Sequence, residues 1–235
     1  MKILAVDTST RFLCLGVCRQ EGLYEYKIEA ATKLSAWLMP AIKRVLEALG
    51  EGLRDIDYFA CGIGPGSFTG VRVGIATIKG LAWSMNKPVA GISTLDILAR
   101  NAPQDKGLVA PVIDAKRGLV YSAIYSASGD NLKRVSPYML LSPEETVKKI
   151  KAKAGKRGGK RVTILGDGLA VCRQAVSEGI GTAVILDKDY WYPEARNIIA
   201  CAKENIRHRL TDTAFGVKPV YLYPKECQIR KTKTL

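Results

Sequence analysis

Apolar and polar positions alternate along the chain in two rhythms. Period-two runs over 2–7, 11–19, 23–29, 57–63 and 88–92 predict strands. A 3.6-residue spacing over 35–49, where Leu38, Ile42, Val45 and Leu49 share a stripe, predicts a helix, as do 67–85 and 93–101. The pattern then restarts, with strands over 108–113, 118–126 and 132–139, a helix over 142–153, a strand over 161–165 and a helix over 168–178. Order and punctuation match between the halves. AVDTSTRFLCLGV at the first hairpin corresponds to VIDAKRGLVYSAI at the second, with Asp7 and Asp114 in the same place. CGIGPGSF and ILGDGLAV each run an apolar strand into a glycine turn and then a helix.

Two βββαβα units in tandem predict an α/β chain of the actin-like (ASKHA, ribonuclease H-like) architecture, in which nucleotide sits between duplicated lobes. The lobes are expected at 1–102 and 103–235, joined by the loop residues NAPQDKG. A helix over 193–207 and the closing segment stand outside the repeat, and one of them is expected to pack back on the first lobe.

In this architecture the first hairpin turn approaches phosphate through backbone N–H groups and small hydroxyls. Here the turn is Asp7-Thr8-Ser9-Thr10-Arg11, without the glycine common in active phosphotransferases of the class. Asp7, Thr8 and Ser9 are its phosphate-facing candidates, joined by Gly64, Gly66 and Ser67 from the second turn. Asp7 reads equally as a magnesium-holding carboxylate or as a cap on its own turn. The stretch GIGPGSFTGVRVG, 62–74, puts five glycines in thirteen residues yet fits neither standard phosphate pattern. It lacks the Gly-Lys of a P-loop, and Ser67 and Thr69 stand where a dinucleotide fingerprint needs its last glycine. What remains is a tight turn at Gly64-Pro65-Gly66, an N-cap at Ser67 and a stripe of Gly66, Gly70 and Gly74. An interior helical glycine costs about 1 kcal/mol relative to alanine. Such a stripe marks close approach of another backbone, from this chain's own sheet or from a second chain. Trp37, Met39 and Ala41 extend apolar surface beyond the core stripe of helix 35–49, so a subunit interface and deep burial both stand open.

Composition narrows the choices. At 235 residues, 47% apolar and 25% charged, the chain is of globular type. No apolar run reaches the roughly 18 to 20 residues of a membrane span, and the N-terminus does not read as a signal peptide, so a cytoplasmic protein without membrane contact is expected. Six cysteines without a C-x-x-C pair, and His208 as the single histidine, argue against a zinc site, a disulfide framework or a Ser/His/Asp triad. Cys14 and Cys18 share a strand face and read as buried thiols. The net charge of +14 favours polyanions. Its densest run, Lys148 to Arg161, holds eight basic residues and reads as a solvated helix end or as an RNA contact through Lys156, Arg157 and Lys160.

ILAVDTST, LSAWLMPAIKRVL, GIGPGSFTGVRVG with TIKGLAW, VIDAKRGLVYSAIY, ILGDG and PVYLYP together resemble the bacterial TsaB (YeaZ) family. These are the non-catalytic partners of TsaD in forming threonylcarbamoyladenosine at position 37 of tRNAs that read codons beginning with A. GPGSFTGVRVG is the specific element of the likeness. The resemblance implies an actin-like fold and docking on a TsaD-like catalytic subunit through the first helix and the SFTGVRVG helix. It also implies a TsaE-like ATPase joining the pair, tRNA reached through the complex, and a homodimer through the same helices when alone. Carried onto this chain, it assigns the partner interface to Trp37, Leu38, Ala41, Ile42 and Val45, with Gly70, Arg72, Val73 and Gly74. It implies no catalytic residue, no metal and no cofactor required by the chain itself, with ATP or ADP at the complex interface. Many relatives carry His-Ser where this chain has Leu34-Ser35, a departure that argues further against a metal role. The glycine stretch then reads as a turn and smooth helix face for protein contact. An older glycoprotease-like label for the family finds no peptidase chemistry here. Two other functions stay open: an actin-like kinase or ATPase using Asp7 and the 64–67 turn, and a free-standing RNA-binding protein using the 148–161 run.

Overall fold

The computed structural model describes residues 1–19, 22–30, 33–103, 105–129, 131–155 and 159–223. Its first sheet opens with an antiparallel meander of β1 (Ile3–Asp7), β2 (Phe12–Cys18) and β3 (Leu23–Glu29). Then β4 (Tyr58–Gly62) and β5 (Val89–Ile92) add in parallel on the far side of β1, giving the order β3-β2-β1-β4-β5. Every residue of β1 is buried, because both faces of the sheet are covered. Leu4, Val6, Leu13, Leu15 and Phe59 point to one face, beneath α1 (Leu34–Ala48) and α2 (Phe68–Met85). Ile3, Ala5, Cys14 and Ala60 point to the other, beneath α3 (Thr94–Ala99) and α6 (Ala195–Arg207). The helix left over from the repeat therefore does pack on the first sheet.

The second sheet follows the same plan with its outer strands broken. β6 (Gly107–Lys116) is flanked in parallel by β11 (Val162–Leu165), which pairs in turn with β12 (Val184–Ile185). The strand expected over 118–126 forms as β7 (Leu119–Ser122) and β8 (Tyr125–Ser128), both antiparallel to β6. Val112 lies opposite Ser122 and Val109 opposite Tyr125, so the two pieces share one register. The gap between them falls opposite Pro111, which has no N–H to give the ladder. The Ser122 hydroxyl donates to the Pro111 carbonyl instead, at 2.9 Å. The strand expected over 132–139 is likewise split around Pro137 into β9 (Asn131–Arg134) and β10 (Met139–Leu141). There Ile124 takes up the slack: its N–H donates to Ser136 Oγ at 2.8 Å and its carbonyl accepts from Val135 N at 2.7 Å.

Period-two alternation along β6 gives this sheet two faces. Leu108, Ala110 and Val112 meet α4 (Pro143–Ala154) and α5 (Leu169–Gly179), while Val109 and Ile113 meet α3. α3 is thus a wedge between the sheets, with Ile97 in one core and Leu95 and Leu98 in the other. Its Asp96 carboxylate accepts from the hydroxyls of Tyr125 and Tyr138, each at 2.6 Å, tying the wedge to the second sheet. Near the end of the described chain, Val220 N donates to Ile63 O at 2.8 Å and the Tyr223 hydroxyl to Ala115 O at 3.0 Å, so this segment bridges the sheets.

Candidate functional site: the Asp7 turn, the cleft and the outer helices

Asp7 ends β1 and is 1% exposed. Its Oδ1 accepts from Ser9 N at 2.8 Å and Ser9 Oγ at 2.7 Å, and its Oδ2 from Thr94 Oγ1 at 3.3 Å. Burial pushes the carboxyl above its ordinary value of 3.8, against the lowering effect of those hydrogen bonds. The glycine stretch closes over this turn. A Cβ on Gly62 would lie 1.8 Å from Asp7 Oδ2, one on Gly70 2.0 Å from Thr8 O, and one on Gly74 2.3 Å from Thr8 Oγ1. Only glycine lets α2 seat so closely. Thr8 Oγ1 donates to Gly70 O at 2.7 Å, Ser67 N to Ser9 O at 2.7 Å, and Ser67 Oγ caps α2 by accepting from Gly70 N at 3.2 Å.

Two expectations are corrected by this packing. Of the phosphate-facing candidates, Gly66 and Ser67 open on the cleft between the sheets, Ser9 borders it but is as buried as Asp7, and Asp7, Thr8 and Gly64 are sealed beneath it. The turn's Ser9 N–H is spent on its own Asp7, and the Ser9 carbonyl on Ser67. The Ser9 N–H and hydroxyl are thus spent within the turn and not turned to a phosphate. Of the interface candidates, Leu38 and Ile42 are each 1% exposed, and Ala41, Gly70 and Gly74 are buried too. Leu38, Ala41 and Ile42 fill the chain's own core because the α1 stripe faces the sheet, and the glycines face the Asp7 turn. Trp37, Val45 and Val73 are half-buried and Arg72 is exposed. The start of α1 has Lys33 as N-cap, with no side-chain cap bond.

The sequence reading named Arg72, Trp37 and Met39 on the outward face of these helices but missed Ala76, Gly80 and Trp83 beside them. Arg72, Ala76, Gly80 and Trp83 run along the exposed side of α2, a step round from the glycine stripe. Trp83 is 68% exposed and meets Phe215, 72% exposed, edge to face at 6.4 Å. Arg72 lies over the Phe68 ring at 3.6 Å and its Nε donates to the Tyr221 hydroxyl at 2.8 Å. Met39 adds exposed apolar surface on α1, which lies beside α2. The signal was a second i, i+4 row of small residues flanked by large ones.

The cleft has a volume of about 750 Å³. Arg11, Lys116 and Arg117 line it with Asp114, Asp167 and the rings of Tyr121, Tyr192 and Tyr223. Asp114, matched to Asp7 by the repeat, differs from it in facing the cleft, where its Oδ2 holds Lys116 Nζ at 2.6 Å. Asp114 N donates to Asp167 Oδ1 at 3.1 Å, and burial, with the neighbouring Asp114 charge, raises the Asp167 carboxyl. Asp167 stands in the ILGDG turn, whose strand-to-glycine pattern was the available signal. The thiols of Cys14, Cys18, Cys61, Cys172 and Cys201 are free and buried, and burial raises Cys61 to about 12. Among the described residues no group of three or more His, Cys, Asp or Glu is placed to hold a metal, and no helix is long and apolar enough to cross a membrane. Lys160 is exposed; Lys156 and Arg157 lie outside the described residues.

Sheet order, duplication and the inter-sheet cleft define an actin-like α/β protein with a closed first turn. The sequence model of the family described as TsaD: tRNA N6-adenosine threonylcarbamoyltransferase matches residues 28–231. The tRNA threonylcarbamoyladenosine biosynthesis protein TsaB of Bacillus subtilis is 32% identical over 77% of this chain and 78% of its own length. Its Escherichia coli counterpart of the same name is 30% identical over 94% of both chains. The solved structure of YeaZ from Pseudomonas aeruginosa superposes with a TM-score of 0.81 at 27% identity, covering 94% of this chain and 99% of that one. The chain belongs to the TsaB proteins of this TsaD-related family.

Proposed function

We propose that the chain is the non-catalytic subunit that docks a TsaD-like catalytic subunit in tRNA threonylcarbamoylation, and that it does so through the outward faces of α1 and α2. One observation carries the reading: Ala76 and Gly80 form a shallow strip on α2, flanked by Arg72 and by Trp83, whose large apolar ring is left open. Small residues between an arginine and a tryptophan suit the close approach of a partner helix, and Trp and Arg are residue types enriched at interface hot spots. The sealed Asp7 turn supports a subunit without its own transferase chemistry. In the same reading a TsaE-like ATPase joins the pair with ATP or ADP held between subunits. The complex meets tRNA in the cytoplasm, and two copies pair through these helices when the catalytic subunit is absent.

The test is co-purification of the Gly80→Arg/Met39→Arg variant with the catalytic subunit. An added Cβ at Gly80 has nothing within 4 Å, so the fold tolerates the change. Association at least about tenfold weaker is expected with an unchanged circular dichroism spectrum, since truncating or blocking a central anchor commonly costs 2 kcal/mol or roughly more. Full association by the folded variant would refute the docking face.

A further inference from the structure

α4 carries Lys148, Lys149, Lys151 and Lys153, all exposed, around the arc left free by its buried Thr146, Val147 and Ile150. Lys160 is brought to the end of the helix by its own N–H, which donates to Ala154 O at 3.1 Å. Among the described residues none of these five lysines has a carboxylate within ion-pairing distance, and what sets them apart is their gathering on one helix face. The acid that could serve Lys149 one turn earlier, Glu145, is engaged in the capping box, accepting from Ser142 N at 3.1 Å. Lys151 and Lys153 suit the negative end of the helix. That effect fades within a turn; Lys148 has only the exposed Glu144 one turn before it, not in ion-pairing contact, and Lys149 and Lys160 have no acid of their own.

We propose that this face grips the phosphate backbone of RNA, which deepens the functional reading above and rests on it. The commitment to RNA phosphate follows from charge and composition. The chain carries +14 overall, and α4 presents no aromatic side chain on which a base could stack. Such a surface positions a nucleic acid without reading its sequence. The fold leaves this face free while the partner is docked. α1 and α2 cover the outer side of the first sheet, α3 lies between the sheets, and α4 and α5 cover the far side of the second. Docking helices and lysine face occupy opposite outer layers.

The experiment is equilibrium binding of an unmodified tRNA transcript to the complex of this chain with its catalytic subunit, across a salt series. The variant K148Q/K149Q/K151Q/K153Q is compared with the parent and with the same four positions as arginine. We expect the glutamine variant to bind at least about tenfold more weakly. Its plot of log affinity against log salt should be shallower by about one unit for each lysine that meets a phosphate. The arginine variant should bind like the parent. Parental affinity and slope in the glutamine variant, with the complex still assembled, overturn the lysine face and leave the docking reading standing. Loss of assembly in the glutamine variant with tRNA binding unchanged also overturns it, by giving the face to an acidic protein surface. If the parent chain never joins the catalytic subunit, the functional reading falls, and the same salt series on the chain alone still decides the lysines.

Discussion

A carboxylate held by three donors, with a glycine backbone against it, has no open side from which to serve a substrate. Asp7 is in that position, and its environment predicts an unusual pH profile. Burial raises its folded value above the ordinary 3.8, so folding favours the protonated form. The stability that this carboxyl contributes is whole below the unfolded value and is lost as pH climbs through the raised folded one. Asp7→Asn keeps the shape and removes the titration. In denaturant unfolding from acid to neutral pH, the parent should lose stability relative to this variant; parallel profiles would show that Asp7 does not titrate in this way. The sequence left cap and metal ligand side by side for Asp7 because both place an Asp at a strand end. What separated them was Gly62 and Thr94, 55 and 87 positions along the chain, invisible to a local pattern.

At the level of elements, α2 contains its own control. Alanine outranks glycine inside a helix by about 1 kcal/mol, and by that rule Gly74→Ala and Gly80→Ala should both stabilise. The structure gives them opposite signs. At Gly74 the new methyl group lands 2.3 Å from Thr8 Oγ1, so Thr8 must give up its bond to Gly70 O. A loss of about 1 to 3 kcal/mol is expected there, as for other overpacked positions. At Gly80 the methyl meets open space, and a gain of up to about 1 kcal/mol is expected. Urea titrations of the two variants measure both signs. The glycine stripe was legible as a sign of close approach, but what approaches it was not, since Thr8 and Gly74 are neighbours only after β1 and α2 have packed. The same limit explains the strands: alternation found all three members of the second meander, while the breaks at Pro111 and Pro137 depended on which neighbour needed a donor.

Across the whole molecule, the repeat was the most readable feature, because it is written twice in the same order. The relation between its halves was less so, and it turns on α3. Asp96 accepts two tyrosine hydroxyls from the second sheet while its helix is packed in the first core. Asp96→Ala leaves both hydroxyls without that partner and should cost about 2 kcal/mol, given one side of the carboxylate open to solvent. Hydrogen exchange should then rise first in β8 and at the start of β10, which hold or adjoin the two tyrosines; uniform exchange with unaltered stability would remove the carboxylate from the tie.

The position of α6 sets an order on events during synthesis. Its residues 195–207 supply Ile198, Ile199, Cys201 and Ala202 to the layer over β1, β2, β4 and β5, strands completed by residue 92. A nascent chain that has emerged only through its second sheet has α3 alone over that side of its first, and the part α6 covers is still open. The opening half of this protein thus completes its core only when the closing half arrives. A ribosome stalled before α6 would hold an aggregation-prone intermediate.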